Sequence, residues 1–131
     1  MRASAGDELP RRAFGPVTRT DNVRYQGASG DFNPIHHDEE FARGAGLPTV
    51  LGVGMLQAGY LATYCVDLFG AGNVREFRVR FRDRVWPGDV LDCSGRVTEV
   101  DAGRVVLELA MERAPGEVVV SGSAVFAAGE E

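Results

Sequence analysis

The stretch Ser29-Gly30-Asp31-Phe32-Asn33-Pro34-Ile35-His36-His37 holds the polar groups most out of place for a purely structural loop. Asp31 offers an anionic acceptor. His36, five residues on across an Asn-Pro turn, offers a ring that titrates near neutrality. Converging on one small molecule, such a pair can hold and polarise a water for general acid–base chemistry. The same residues also suit a plain turn, in which the aspartate only caps backbone amides. His37 reads as a bystander on this loop, and Asp38 as the cap of a following helix.

Other chemistries fail on spacing. His36 and His37 with Asp31, Asp38, Glu39 and Glu40 suggest a metal, but adjacent histidines point apart in regular structure and no standard ligand spacing appears. A calcium loop starting at Asp31 would have His36 in place of its glycine and Ala42 in place of its final glutamate. Gly27-Ala28-Ser29-Gly30-Asp31 lacks the closing glycine of a nucleophile elbow, and Gly52-Val53-Gly54 lacks the third glycine of a dinucleotide fingerprint. All 14 basic residues are arginine, which removes lysine Schiff bases and lysine-bearing phosphate loops. Neither a metal nor a cofactor is expected.

The elements that must position the loop follow from periodicity. A short strand is expected around Arg12 to Val17, and a helix over Asp21 to Gln26 with Thr20 as N-cap and Gly27 as stop. Pro34 disfavours helical geometry at Asn33, so Ser29 to Pro34 is a loop. Asp38 to Arg43 forms a brief helix ending at Gly44. An apolar helix from about Gly54 to Phe69 closes at Gly70-Ala71-Gly72. From Phe77 onward apolar and polar residues alternate, and the turns Trp86-Pro87-Gly88-Asp89, Asp101-Ala102-Gly103 and Ala114-Pro115-Gly116 divide the rest into strands. These read as an antiparallel meander of four or five strands, and the chain as one α+β domain over residues 1–131. The central helix is apolar on nearly every side, through Met55, Leu56, Tyr60, Leu61, Tyr64, Val66 and Leu68. A flat sheet would leave one stripe of it wet, so the sheet must curl around it or a second copy must cover it.

With 131 residues there is room for one sizeable core and hardly for two. A net charge of −5 argues against nucleic acid as a partner. Gly44 to Val66 carries no charge and is long enough to span a bilayer, but its five glycines, Pro48, Gln57 and two threonines suit a helix buried in protein, so no membrane is expected. Cys65 and Cys93 lie in apolar segments and read as buried free thiols. With no secretory leader in Met1 to Glu8, that points to the cytoplasm.

The run Tyr25 to His36 resembles, without a gap, the signature loop of the MaoC-like dehydratases, the (R)-specific enoyl-CoA hydratase family. Gly54-Met55-Leu56 is similar to the start of that family's central helix. Phe81 with Val85-Trp86-Pro87-Gly88-Asp89 is similar to its recurring strand and turn. The similarity covers most of residues 20 to 100 in the right order. It implies a hot-dog fold, with a long helix wrapped by one antiparallel sheet, and reversible addition of water to a trans-2-enoyl thioester of CoA or acyl carrier protein. Asp31 and His36 would form the catalytic dyad, their acid and base roles undivided, and the Gly54 N–H would face the thioester carbonyl as enolate charge develops. Asn33 would orient the dyad, and Ser29, Gly30 and Pro34 would shape the loop. A homodimer, or a heterodimer with a related subunit, is the expected assembly.

Two departures stand out. Val53 occupies a position where many members have histidine, which implies a differently lined acyl pocket involving Val53 and Met55. Asp83-Arg84 replaces a frequent proline. Tyr60 reads as core in preference to acyl-tunnel lining. Arg78, Arg80, Arg82 and Arg84 read first as the solvated face of a strand, and second as forks for the phosphates of CoA or of a phosphopantetheine. Two rivals remain. A hot-dog thioesterase often places its acidic residue on the central helix, which here has only Asp67 near its end. A non-catalytic acyl-binding subunit would be expected to lack Asp31 or His36.

Overall fold

The computed structural model describes residues 2–128. In chain order its elements are β1 (Arg12–Phe14), α1 (Arg19–Ser29), α2 (Glu39–Gly44), α3 (Gly54–Phe69), β2 (Val74–Phe81), β3 (Leu91–Asp101), β4 (Arg104–Glu112) and β5 (Val118–Ala127). Pro34–His36 and Ala71–Asn73 form single 3-10 turns. The strands make one antiparallel sheet in the order β1-β3-β4-β5-β2.

Tight turns put β3, β4 and β5 side by side as the expected meander, but β2 does not precede β3 in it. It pairs with β5 and forms one edge of the sheet, Phe77 opposite Ala124 and Phe81 opposite Val120. The segment after β2 cannot act as a hairpin because its backbone is committed elsewhere. Val85 O accepts from Gly52 N–H at 2.8 Å, and Gly88 and Asp89 exchange hydrogen bonds with Val17 at 2.7 and 2.9 Å. The turn thereby braces the chain just ahead of α3.

Helix α1 starts earlier and ends later than its composition suggests. Thr18, not Thr20, is the N-cap: its hydroxyl accepts from Asp21 N–H at 3.0 Å while the Asp21 carboxylate accepts from Thr18 N–H at 2.8 Å. That reciprocal box needs a carboxyl three residues after the cap, which Thr18 has and Thr20 lacks. Gly27 is carried inside the helix, and Gly30, at φ 77°, makes the left-handed exit. Ser29 is therefore helical rather than part of the loop.

Helix α3 lies on the sheet against β2, β4 and β5. Its buried positions Gln57, Ala58, Leu61, Tyr64, Cys65 and Phe69 repeat at helical spacing. Of these, Leu61, Tyr64, Cys65 and Phe69 join Leu107, Leu109, Met111, Val120 and Phe126 in the main core. The helix is less uniformly apolar than its composition implies. Its exposed line is Met55, Gly59, Thr63 and Asp67, of which only Met55 is a large apolar side chain, at 58% exposure. Among the described residues, no helix is long and apolar enough to cross a membrane.

Candidate active site

The loop after α1 is built from short-range bonds. Gly30 N–H closes α1 on Gln26 O at 2.9 Å, and Ser29 Oγ accepts from Asp31 N–H at 3.3 Å. Asp31 Oδ1 accepts from Asn33 N–H at 3.2 Å, and Asn33 Oδ1 caps the following 3-10 turn through Ile35 N–H at 3.1 Å. Pro34 opens that turn, a position where its missing N–H costs nothing. Asp31 thus does what a turn aspartate does with one oxygen. Its other oxygen has no hydrogen bond among the described residues, and the side chain is exposed.

His36 is half-buried and held at both ends. Its ring Nδ1 lies 2.7 Å from Leu51 O, and Leu51 N–H donates to the neighbouring Ile35 O at 2.9 Å. A carbonyl oxygen only accepts, so Nδ1 carries the hydrogen and Nε2 is the basic nitrogen of the neutral ring. Leu51 lies three residues before Gly54, the first residue of α3, so these bonds bring His36 to the start of the longest helix. Val53, buried at the N-cap, provides no side-chain cap there. The Gly54 and Met55 amides at the start of α3 therefore keep their partial positive charge. The Phe81 ring packs on Gly54, where a Cβ would come within 3.3 Å of it.

The structure places Gly30, Asp31, Asn33, Pro34 and His36 in one loop directly after Ser29, the last residue of α1, and joins that loop to Leu51, two residues before Val53. Other expected residues lie elsewhere. Tyr60 stacks on Phe14, ring centroids 5.0 Å apart. Arg78, Arg80 and Arg82 line a groove of about 620 Å³ with Glu108, Ser121 and Ser123. They alternate with Phe77 and Val79, which pack toward the core, so the arginines are on the far face of the sheet from α3. Arg78 pairs with Glu76 and Arg82 with Ser121.

Several residues of the site escaped the sequence reading. Asn22 Nδ2 donates to His36 O at 3.2 Å, and Gln26 Nε2 to Asn33 O at 3.0 Å. His37, expected to be idle, uses Nδ1 to donate to Gln26 Oε1 at 3.1 Å. The available signal was the spacing of Asn22 and Gln26, two amides four apart and so on one face of α1. The anchor at Leu51 is a backbone atom and left no signal in residue type.

Comparison with known proteins identifies the family and the fold. The model of the MaoC like domain matches residues 2–114. Fatty acid synthase subunit beta of Aspergillus oryzae is 38% identical over 108 residues, 79% of this chain and 5% of that protein. The peroxisomal hydratase-dehydrogenase-epimerase of Saccharomyces cerevisiae is 31% identical over 108 residues, 82% of this chain and 11% of that protein. The chain thus spans only a small part of these curated relatives. Among solved structures, the R-hydratase PhaJ1 of Pseudomonas aeruginosa superposes with a TM-score of 0.85 at 26% identity, over 98% of this chain and 84% of that one. With the family model covering most of its length and the sheet and helix matching a solved R-hydratase, the chain belongs to the MaoC-like dehydratase family and has the hot-dog fold.

Proposed function

We propose that the chain, working as one catalytic domain, performs (R)-specific hydration of trans-2-enoyl thioesters and the reverse dehydration of (R)-3-hydroxyacyl thioesters, carried on CoA or acyl carrier protein. The observation that supports this most directly is the lock on His36. Its Nδ1 is committed to Leu51 O, three residues before the uncapped start of α3, which leaves Nε2 as the ring nitrogen available for proton transfer.

In this reading Asp31 and His36 together hold one water. Its oxygen bonds to C3 of the enoyl group as the dyad takes a proton, and a proton passes from the dyad to C2, so the elements of water are added across the double bond. Negative charge builds transiently on the thioester oxygen, and the Gly54 N–H receives it. Such a donor is worth about 3 kcal/mol of transition-state stabilisation. Asn33 keeps Asp31 and the 3-10 turn in register, and Val53 and Met55 line the acyl end. The working unit is a homodimer. Phe81 and Met55, 48% and 58% exposed on either side of Gly54, supply apolar surface for a second copy beside the free edge of β2. Asp67, the carboxylate on which a thioesterase reading would rest, is paired with Arg12 at 2.6 Å near the opposite end of α3.

The test is loss of enoyl-thioester ultraviolet absorbance on mixing the protein with crotonyl-CoA, with product stereochemistry determined, beside Asp31→Asn and His36→Ala. Turnover to the (R)-3-hydroxyacyl product, abolished by either change, is the expected result. Silence of the wild-type chain across short, long and carrier-bound enoyl substrates would replace the reading with that of a non-catalytic acyl-binding subunit.

A further inference from the structure

Among the described residues, the polar side chains that are fully buried are Asn22, Gln26 and Gln57, at 0%, 2% and 4% exposure. All are carboxamides, and all lie behind the loop and turn that hold His36. Asn22 and Gln26, one turn apart on α1, grip the carbonyls of His36 and Asn33, which bracket the 3-10 turn. Gln26 also takes the His37 ring on its oxygen. Gln57 fills the space beside Gly52, the residue after Leu51, where a Cβ would stand 2.5 Å from Gln57 Nε2.

Packing alone does not call for amides at these places. A buried amide is costly unless its groups are bonded, and an apolar residue of similar size fills a helix face with no such demand. Asn22 goes further: its Oδ1 is buried with no hydrogen-bond partner among the described residues. Its Nδ2, the half that is bonded, holds the backbone of His36. A carboxylate or imidazole could reach the same carbonyl region only by adding a titrating charge beside the dyad. A carboxamide donates without one.

We propose that Asn22 and Gln26 are positioning residues: a neutral amide clamp on the Asn33 and His36 carbonyls that holds His36 in register with Asp31 for proton transfer. The clamp rests on the hydratase reading for its purpose, but its geometry can be tested separately. Neither residue touches substrate, so removing one alters the chemical step and not the affinity.

The experiment compares wild type with Asn22→Leu, Gln26→Met and Gln26→Glu. The last keeps an acceptor for His37 and loses the donor to Asn33 O. Each variant is expected to lower kcat for crotonyl-CoA by about ten-fold or more, with KM within about two-fold of wild type. The amides of His36, His37 and Asp38, which close the 3-10 turn onto Asn33 and Pro34, are expected to exchange about ten-fold faster in NMR. Asn22→Leu leaves His36 O without its Nδ2 donor, so a modest fall in Tm is expected beside the larger fall in kcat. A kcat within about two-fold of wild type in Asn22→Leu and Gln26→Met overturns the proposal, as does a loss that tracks Tm or appears only in KM. If the wild type hydrates no enoyl thioester, the hydratase reading fails, and amide exchange still decides the clamp: rates unchanged in all three variants overturn it.

Discussion

The imidazole of His36 and the carbonyl of Leu51 are joined at 2.7 Å, Nδ1 to oxygen, across fifteen residues of chain. Because the partner is a backbone carbonyl, this contact assigns the tautomer as well as the position of the ring. In the neutral protein, nitrogen NMR of His36 should show a protonated Nδ1 and an unprotonated Nε2. The opposite tautomer would mean that the ring is held by something other than Leu51.

Removing either member of the candidate dyad should silence the chemistry and spare the fold. Asp31 is exposed and His36 half-buried, and neither belongs to a core cluster, so in Asp31→Asn and His36→Ala circular dichroism and Tm should stay close to wild type. For a positioned acid–base group, kcat is expected to fall by roughly 10²–10⁴-fold. Turnover within ten-fold of wild type in either variant would move the proton transfer to other residues.

Gly52 and Gly54 stand two apart but tolerate side chains differently. A Cβ on Gly52 would lie 2.5 Å from Gln57 Nε2 and 2.9 Å from the backbone oxygen of Val85, and that oxygen is fixed by its bond to Gly52 N–H. Gly52→Ala should destabilise by about 1–3 kcal/mol. At Gly54 the obstacle is the edge of the half-exposed Phe81 ring at 3.3 Å, which can swing aside. Gly54→Ala should lose less stability. Urea denaturation of the two variants side by side checks the order.

The two cysteines set the alkaline limit. Burial raises the Cys65 thiol to about 11, and burial, with the nearby Asp92 charge, raises Cys93 to about 12. Burial likewise lifts the Tyr64 hydroxyl to about 12. Each group is more acidic in the unfolded chain, where a thiol ionises near pH 8.5. The stability they contribute is therefore complete below about pH 8.5 and is lost as pH climbs toward the folded values of about 11 to 12. The urea midpoint should drop between pH 8 and pH 10.5, and less so in Cys93→Ala. In the native protein at pH 8, neither thiol should react with a disulfide reagent until denaturant is added.

Much of this molecule was legible before folding. Alternation along Leu91 to Phe126 gives the meander because a sheet with one buried face needs a period of two. The apolar run to Phe69 gives α3. The loop from Ser29 to His36 announces itself by placing an acid and an imidazole around Asn-Pro. Where sequence and structure part, local chemistry offers near-equivalent choices. Thr18 and Thr20 can each cap a helix, and the decision fell to the carboxyl of Asp21, placed three residues after Thr18. Gly27 and Gly30 can each stop one, and only Gly30 adopts a positive φ.

Residue order thus determined which groups are available: an aspartate and a histidine on one loop, an uncapped helix start at Gly54, and the strands that form the sheet. Tertiary structure alone decided how they are aimed. The pairing of β2 with β5 and the hold of Leu51 O on His36 join segments distant in the chain, and the grip of Asn22 and Gln26 on the loop carbonyls folds the loop back on α1, each with a backbone atom as one partner. Every residue carries those atoms, so they leave no trace in sequence until packing brings them within reach.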